Sequence, residues 1–500
     1  MPNPSRHRPP KLIAPLLIGL LVSQLIATAV VYQSNRHIDR KVTALSQAGY
    51  LTIPTRITQP GLSQMGSAWW GGLFFTLSTG AGISLLTILA VRAGRNMSKL
   101  NRWFSLILLI LPAGLLGWVN LNGFNLPATL FFTIVPAAVV VFSGSDKKYF
   151  TKRRSVISAL APVAALVILT GCWLTQLDRH LFINIRDFVL LSNPVGVKIN
   201  DFYYRYTLFP AELFKTLSQK TLRTYTFASQ DASPTVRRLH RTLKRYDYLP
   251  VKEIDAADVV IRSTGNSLTV AQHGRTLLET DIQLFLRQPR RMLQNLSVQA
   301  DRFEAFRQIT FFSILFAFPV SLFLLINAGL LRILGLFLSD SLAAVLAAFI
   351  CLVLGLVPLL AVYGADPDTA GDAGLTRLVS SDKWQDRIIA LRKIDQEGIE
   401  IGDFPQYRQM LSSTHMPERY WLARALGASR KPATYNDLLE LLQDQHPNVV
   451  CQAFYGLGRR GNKNAVPVIL KMIETLDNWY SQRYGYNALR RLGWVQTGNG

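Results

Sequence analysis

Four groups of residues in this sequence are of types that chemistry uses. Glu253, Asp255, Asp258, Glu279 and Asp281 are carboxylates near enough in sequence to suggest a cation site. Hard cations draw oxygen ligands from loops with fixed spacing around a sharp glycine turn. These five match no such loop, so a solvated surface is expected. Asp178, Arg179, His180, Arg186 and Asp187 gather just beyond a long apolar run, where an enzyme acting on lipid-linked substrates would need its polar groups. Phe202, Tyr203, Tyr204, Arg205 and Tyr206 interleave rings with a guanidinium. That mixture suits the headgroup level of a bilayer, and equally the core of a small domain. Arg424, Arg459, Arg460, Arg490 and Arg491 recur near the ends of apolar segments. They would either line a face that reads an acidic partner or solvate helix ends.

No motif ties these groups to catalysis. The sequence has no G-x-x-x-x-G-K-[ST] phosphate loop and no G-x-G-x-x-G in a strand-turn-helix setting. It also lacks H-E-x-x-H and G-x-S-x-G. Its 7 histidines are scattered, with none paired at ligand spacing. Of its 3 cysteines, Cys172 and Cys351 fall in apolar runs, where a thiol behaves as a small apolar group, and 3 are too few for a disulfide framework. The expectation is a chain with no catalytic residues, no cofactor and no metal.

Composition says which elements must position the remaining groups. Of 500 residues, 49% are hydrophobic and only 17% charged, against about 25% charged in soluble domains. Seven stretches approach the ~20 apolar residues needed to cross a hydrocarbon core. They are Leu12–Tyr32, Ala68–Val91, Trp103–Asn120, Leu126–Phe142, Val156–Thr175, Ile309–Leu331 and Leu342–Tyr363. Leu126–Phe142, the shortest, holds Pro127 and Pro136 and also suits a re-entrant or tilted segment. The net charge of +23 resembles a nucleic-acid signal, but residues 1–176 alone hold 16 basic and 2 acidic side chains. That excess flanks the apolar runs. It orients a membrane protein, and no nucleic acid is expected as a partner.

Basic clusters mark alternate connections as cytoplasmic: Arg6, Arg8 and Lys11; Arg92, Arg95, Lys99 and Arg102; Lys147, Lys148, Lys152, Arg153 and Arg154. Arg36, Arg40, Lys41 and Arg56 disagree mildly. Seven crossings from a cytoplasmic N-terminus place residues 177–307 and 364–500 outside the cytoplasm of a bacterial inner-membrane protein. Were 309–338, interrupted by Arg332, a hairpin instead of one span, the C-terminus would lie inside. The first span carries Ala27-Thr28-Ala29, a cleavage-like site behind a basic start. Apolar residues continue through Val31, so an uncleaved anchor is expected and a cleaved signal peptide is the alternative.

No Asp, Glu, Lys, Arg or His lies in the body of a span, which argues against an ion-coupled transporter acting alone. Gly80 and Ser84, Ala343 and Ala347, and Ala344 and Ala348 are small residues four apart that let helices approach closely. With Pro112, Pro136, Pro162, Pro319 and Pro358 they would also serve as hinges of a moving permease, though static packing is expected. The cytoplasmic loops are too short for a nucleotide-hydrolysing domain, so energy input would require a separate ATPase subunit.

Residues 177–307 read as a small α+β domain with an aromatic-rich start. A short helix begins at Pro210 and runs through Leu217, and a second runs from Pro234 to Tyr246 behind Ser233 as N-cap. Strands are expected at Val259–Arg262, Ser267–Gln272 and Thr276–Glu279, separated by Gly265-Asn266 and His273-Gly274.

The strongest pattern lies at the C-terminus. Ala390…Ile394, Leu422…Leu426-Gly427, Ala453…Leu457-Gly458 and Ala488…Leu492-Gly493 repeat with second apolar helices at Tyr435–Leu442 and Ala465–Ile473 between them. Pro417, Pro432, Pro447 and Pro467 stand at helix starts. Each unit is two short helices that cannot bury their apolar faces alone, so stacked neighbours must share a core. From Asp382 to Trp494 the chain resembles HEAT-type repeats, specifically the short bacterial form also seen in phycobilisome-lyase-like proteins. His446-Pro447-Asn448-Val449-Val450 and Ala465-Val466-Pro467-Val468-Ile469-Leu470 carry the resemblance best. It implies an α-solenoid with a concave surface for another protein; lyase chemistry is not carried over. Trp384, Trp421, Trp479 and Trp494 are read first as core or cap residues, then as anchors.

The expected architecture is an all-α polytopic membrane protein with two soluble parts. Residues 1–176 form five spans, 177–307 the extracytoplasmic α+β domain, 308–363 two further spans and 364–500 the HEAT-like repeats. The expected function is a non-enzymatic, membrane-anchored scaffold binding a protein partner through the repeats, with the lipid bilayer as its other partner. The alternative is a permease-like subunit of an export or envelope-transport complex.

Overall fold

The computed structural model describes residues 13–96, 112–144, 156–176, 180–228, 233–362 and 372–498. The chain forms two compact units. One is Met1–Val31, Ala68–Leu181 and Asp301–Leu360; the other is Tyr32–Ser67, Phe182–Ala300 and Ala361–Gly500.

The first unit is helical. Among the described residues, 5 helices are long and apolar enough to cross a membrane: Ile13–Gln47, Met65–Gly94, Leu126–Ser143, Glu304–Leu334 and Asp340–Leu360. Two of the expected spans fall outside that set. Residues 103–111, the first half of Trp103–Asn120, lie outside the described residues, and the helix Val156–Leu174 contributes only the shorter apolar stretch Leu160–Leu174. Gly19 faces Ser84 and Gly80 faces Ser23 so closely that a Cβ on either glycine would overlap the opposite serine. This reciprocal crossing is what the Gly80/Ser84 spacing predicts. Ala343, Ala344, Ala347 and Ala348 are likewise all buried. The rings of Phe75, Phe131 and Phe306 cluster with centroids 5.8 to 6.2 Å apart. Two π-helical turns, Thr76–Gly80 and Ser313–Ala317, interrupt their helices. Beside them the Thr79 and Thr310 hydroxyls share a hydrogen bond of 2.7 Å.

The helix Ile13–Gln47 continues well past the expected end of the first span at Tyr32. Residues 33–47 contain no glycine or proline to stop it, and Lys41, Val42 and Leu45 find buried places in the second unit.

In the second unit, a five-stranded sheet has the order β2-β1-β3-β4-β5. Its strands are β1 (Arg223–Phe227), β2 (Tyr248–Pro250), β3 (Val259–Thr264), β4 (Ser267–Gln272) and β5 (Arg275–Asp281). β1 runs parallel to β2 and β3, whereas β3, β4 and β5 are antiparallel. The last three are the strands expected from their sequence; β3 and β4 face the core through every second residue, Val259 and Ile261 or Leu268 and Val270, whereas β5 packs on it through the partly buried Leu277 and Leu278. His273 and Gly274 join β4 to β5 with both φ angles positive, +47° and +79°, as a two-residue primed turn requires. β1 and β2 were not expected; β2 is only three residues long and ends in Pro250, which an edge strand tolerates. Ahead of the sheet lie α1 (Pro194–Tyr206) and α2 (Leu208–Phe214). α3 (Pro234–Arg245) starts where Ser233 accepts a hydrogen bond from the Val236 amide, and it buries Val236, Leu239 and Leu243. The fully buried leucines contribute about 2 kcal/mol each.

After a short helix at Asp372–Val379, the helices of the C-terminal repeats are α4 (Trp384–Glu397), α5 (Met416–Ala428), α6 (Ala433–Glu440), α7 (Pro447–Arg460), α8 (Val466–Thr475) and α9 (Trp479–Arg491). The first helices of successive repeats, α4, α5, α7 and α9, pack side by side. α6 and α8 are the second helices. In the first repeat the second helix is replaced by the 3₁₀ turns Ile401–Asp403 and Pro405–Met410, and α9 has no second helix among the described residues. The repetition extends to the loops. Arg387 and Arg419 each bind a carboxylate in the next repeat, Glu418 and Asp444, and each donates to the carbonyl of a serine six residues back, Ser381 and Ser413. α5 and α7 touch through Gly427 and Gly456, where a Cβ on Gly427 would meet the Gly456 backbone.

Candidate binding surface of the helical repeats

The residues that matter on the repeats are polar ones set in otherwise apolar helix faces. Arg392 of α4 is fully buried and donates from Nη1 to Asn184 Oδ1 at 2.7 Å. Trp421 of α5 donates from Nε1 to Asp187 Oδ2 at 2.7 Å. Asn448 of α7 and Asn200 of α1 exchange two amide hydrogen bonds of 3.0 Å each. The Gln482 amide of α9 accepts from the Thr55 amide at 3.1 Å and donates to Thr55 Oγ1 at 2.8 Å. Gln496 does the same to the backbone of Leu51, at 3.0 and 2.8 Å. Tyr486 and Arg490 of α9 both donate to the Asp247 carboxylate. Burial pushes that carboxyl above its ordinary value, although both donors pull it down.

These contacts form a seam. The first helices of the repeats are occupied by this chain's own segments 49–58 and 182–214. Buried polar groups left without partners cost about 1–3 kcal/mol each, so every pair along the seam specifies one docking register. Aromatic packing fills the space between the pairs. Phe188 stacks on Trp384 at 5.8 Å, Trp384 on His415 at 4.9 Å, and Phe209 meets Trp479 edge-on at 5.3 Å.

The expected site residues therefore divide. Tyr204 packs against the Tyr480 ring at 4.9 Å and Tyr203 stacks on it at 6.1 Å; Phe202 and Tyr206 pack on each other at 4.9 Å. Tyr203 and Arg205 are nonetheless exposed, and with Val195 and Ile199 the Tyr203 ring makes an outward apolar stripe along α1. Of the five arginines, two serve the fold. Arg460 donates to the carbonyls of Leu426 and Lys431, and Arg490 to Asp247 and the Arg245 carbonyl. The other three share one ridge. Arg424 and Arg459 both bind Asp395, and the Arg424 and Arg491 guanidiniums both lie over the Tyr455 ring, at 5.1 and 4.6 Å. Three guanidiniums thus surround one carboxylate and one ring.

Trp421 and Trp479 are buried, as a core role requires, and Trp494 packs edge-on to Tyr486 at 6.1 Å. Arg186 and Asp187 pair with each other, and the Arg186 guanidinium lies 4.0 Å from the Tyr420 ring centre. Asp178 and Arg179 lie outside the described residues. The five carboxylates do not converge. Asp255 reaches Arg40 at the surface, Asp281 caps the helix Ile282–Arg287, and Asp258 is buried between two lysines. Among the described residues no group of three or more His, Cys, Asp or Glu is placed to hold a metal.

Sequence reasoning passed over Asn184, Asn200, Arg392, Asn448 and Gln482. Only Arg392 and Gln482 carried a signal, polarity on the otherwise apolar face of a repeat helix; Asn184 and Asn200 lie outside the repeats. The profile for HEAT repeats matches residues 405–490. The C-terminal region is thus a HEAT-type repeat domain, a kind of module that serves protein–protein interaction and is generally non-catalytic. No curated protein and no solved structure matches the chain.

Proposed function

We propose that this chain is a non-enzymatic scaffold of a bacterial inner membrane, whose HEAT-type repeats and α+β domain offer one joint surface to a partner protein outside the cytoplasm. The seam carries this reading. Repeats whose first helices are locked by Trp421–Asp187 and Asn448–Asn200 form a preorganised platform, so a partner meets a rigid surface and little ordering entropy opposes binding. The ridge of Arg424, Tyr455, Arg459 and Arg491 is the part left open. Its excess of guanidiniums over Asp395 suits an acidic protein face, since planar guanidinium groups engage carboxylates bidentately. The outward stripe of Val195, Ile199 and Tyr203, flanked by Lys198 and Arg205, supports lipid headgroups as the second contact of the same platform.

A photo-crosslinking residue at Tyr455 of the intact chain in cells tests the platform. One protein adduct of defined size is expected, and Arg459→Glu with Arg491→Glu should reduce its yield about tenfold. No adduct, or an adduct indifferent to charge reversal, would remove the ridge from the proposal.

A permease-like subunit is the second reading, and one observation favours it. The π-helical turns Thr76–Gly80 and Ser313–Ala317 interrupt neighbouring helices and come together beside buried hydroxyls. Such turns are frequent where helices act. Stoichiometric co-purification of an ATPase with the intact chain would move the conclusion there.

A further inference from the structure

A cavity of about 50 Å³ lies where residues 34–45 of the first long helix meet residues 220–222 and Trp479. Its ionisable lining is His37, Lys41, Glu212 and Lys220. Lys41 Nζ donates to Asp258 Oδ2 at 2.6 Å, and Lys220 Nζ to Asp258 Oδ1 at 2.9 Å. The Thr224 amide, at 2.9 Å, and the Thr224 hydroxyl, at 3.2 Å, also donate to Asp258 Oδ2. Glu212 is held by Lys215. The side chains of these five groups are between 1% and 20% exposed. With histidine counted as neutral, Lys41, Lys215 and Lys220 stand against Asp258 and Glu212 alone. With all three lysines protonated one positive charge is unmatched, against burial that pushes Lys41 and Lys215 towards the neutral form, and the next charges felt by the lysines, Arg483 and Arg223, have the same sign. Leaving such a charge uncompensated inside a protein is costly.

Each ammonium has three N–H donors, and one from each goes to Asp258, so further donors remain on residues that line the cavity. A water needs about 10–15 Å³, so the space holds a group of a few atoms and excludes a nucleotide or sugar. We propose that this cavity binds one small, singly charged anion, a halide or short carboxylate, held by Lys41 and Lys220 with Asp258 fixing both. The site is independent of the platform reading.

The test uses the full-length protein in detergent, in potassium gluconate, whose anion is too large for the cavity. Potassium chloride or acetate then replaces gluconate at constant ionic strength. The midpoint of thermal unfolding should rise by about 2–5 °C and saturate. Lys220→Gln removes the unmatched charge, so it should abolish the response while leaving the midpoint in gluconate unchanged or higher. Lys41→Gln provides the same test should the first variant fold poorly. A response to only one of the two anions supports the site and names its ligand. A midpoint indifferent to both anions, or a response retained in both variants, overturns it.

Discussion

Asp258 neutralises two ammonium groups from different segments of the second unit at once. Burial by itself would raise its carboxyl, but Lys220 and Lys41 drive it far below the usual carboxylate range. A group depressed in the folded state lends stability that is complete above its unfolded value, near pH 4, and is lost progressively as the pH falls below it. Asp258→Asn should therefore destabilise the protein at pH 7 by about 3–5 kcal/mol, the usual cost of stranding buried charge. It should also flatten the decline in unfolding midpoint that is expected of the parent protein between about pH 4 and pH 2. Equal acid sensitivity in parent and variant would assign that decline to other carboxylates. Trp421→Phe removes one donor from the buried Asp187 and keeps most of the ring. A loss of about 1–3 kcal/mol is expected, read as a lower thermal midpoint, whereas Trp384→Phe, which breaks no hydrogen bond seen here, should cost less.

Elements in this protein meet through small residues, and that makes a further prediction. Gly427 of α5 lies against the Gly456 backbone of α7, so Gly427→Val must push two repeats apart. Overpacking of this kind costs about 1–3 kcal/mol. Limited proteolysis should then cut between α5 and α7 first; a variant as resistant as the parent would show that the repeats give way without strain. How much of this was legible beforehand depended on whether the signal was local. The β3-β4-β5 meander, α3 with its Ser233 cap and the first helices of the repeats all follow from periodicity and turn residues within a few positions. The Gly80/Ser84 crossing was legible for the same reason. β1 and β2 were not, because three to five residues of strand give too short an alternation to read. The seam was illegible for a deeper reason. Asn200 meets Asn448 across 248 positions of sequence, and nothing near either asparagine announces the other. The aromatic run 202–206 was ambiguous between lipid and core because α1 has a packed and an exposed face, turning Tyr204 to Tyr480 and Tyr203 partly outward.

The whole molecule poses a question of parity. Tyr32–Ser67, Phe182–Ala300 and Ala361–Gly500 build one compact unit, and one folded unit occupies one aqueous compartment. The number of crossings between consecutive pieces must then be even. Between the second and third pieces the candidates are Glu304–Leu334 and Asp340–Leu360, two in all. Between the first and second pieces the candidates are Met65–Gly94, Leu126–Ser143 and the shorter Leu160–Leu174, three in all, so a fourth crossing is required or one of these does not span. A span at Trp103–Asn120, as the sequence leads one to expect, would supply the fourth, and the basic residues around 92–102, before it, and 147–154, after Leu126–Phe142, would then both lie inside. Reporters fused after residues 150, 240, 338 and 500 should read inside, outside, inside and outside. An inside signal at 500 together with an outside signal at 240 would be incompatible with the seam, since Asn448 and Asn200 would then face each other across a bilayer. A uniform inversion of all four signals would keep the seam and the platform, and would move the acidic partner to the cytoplasm.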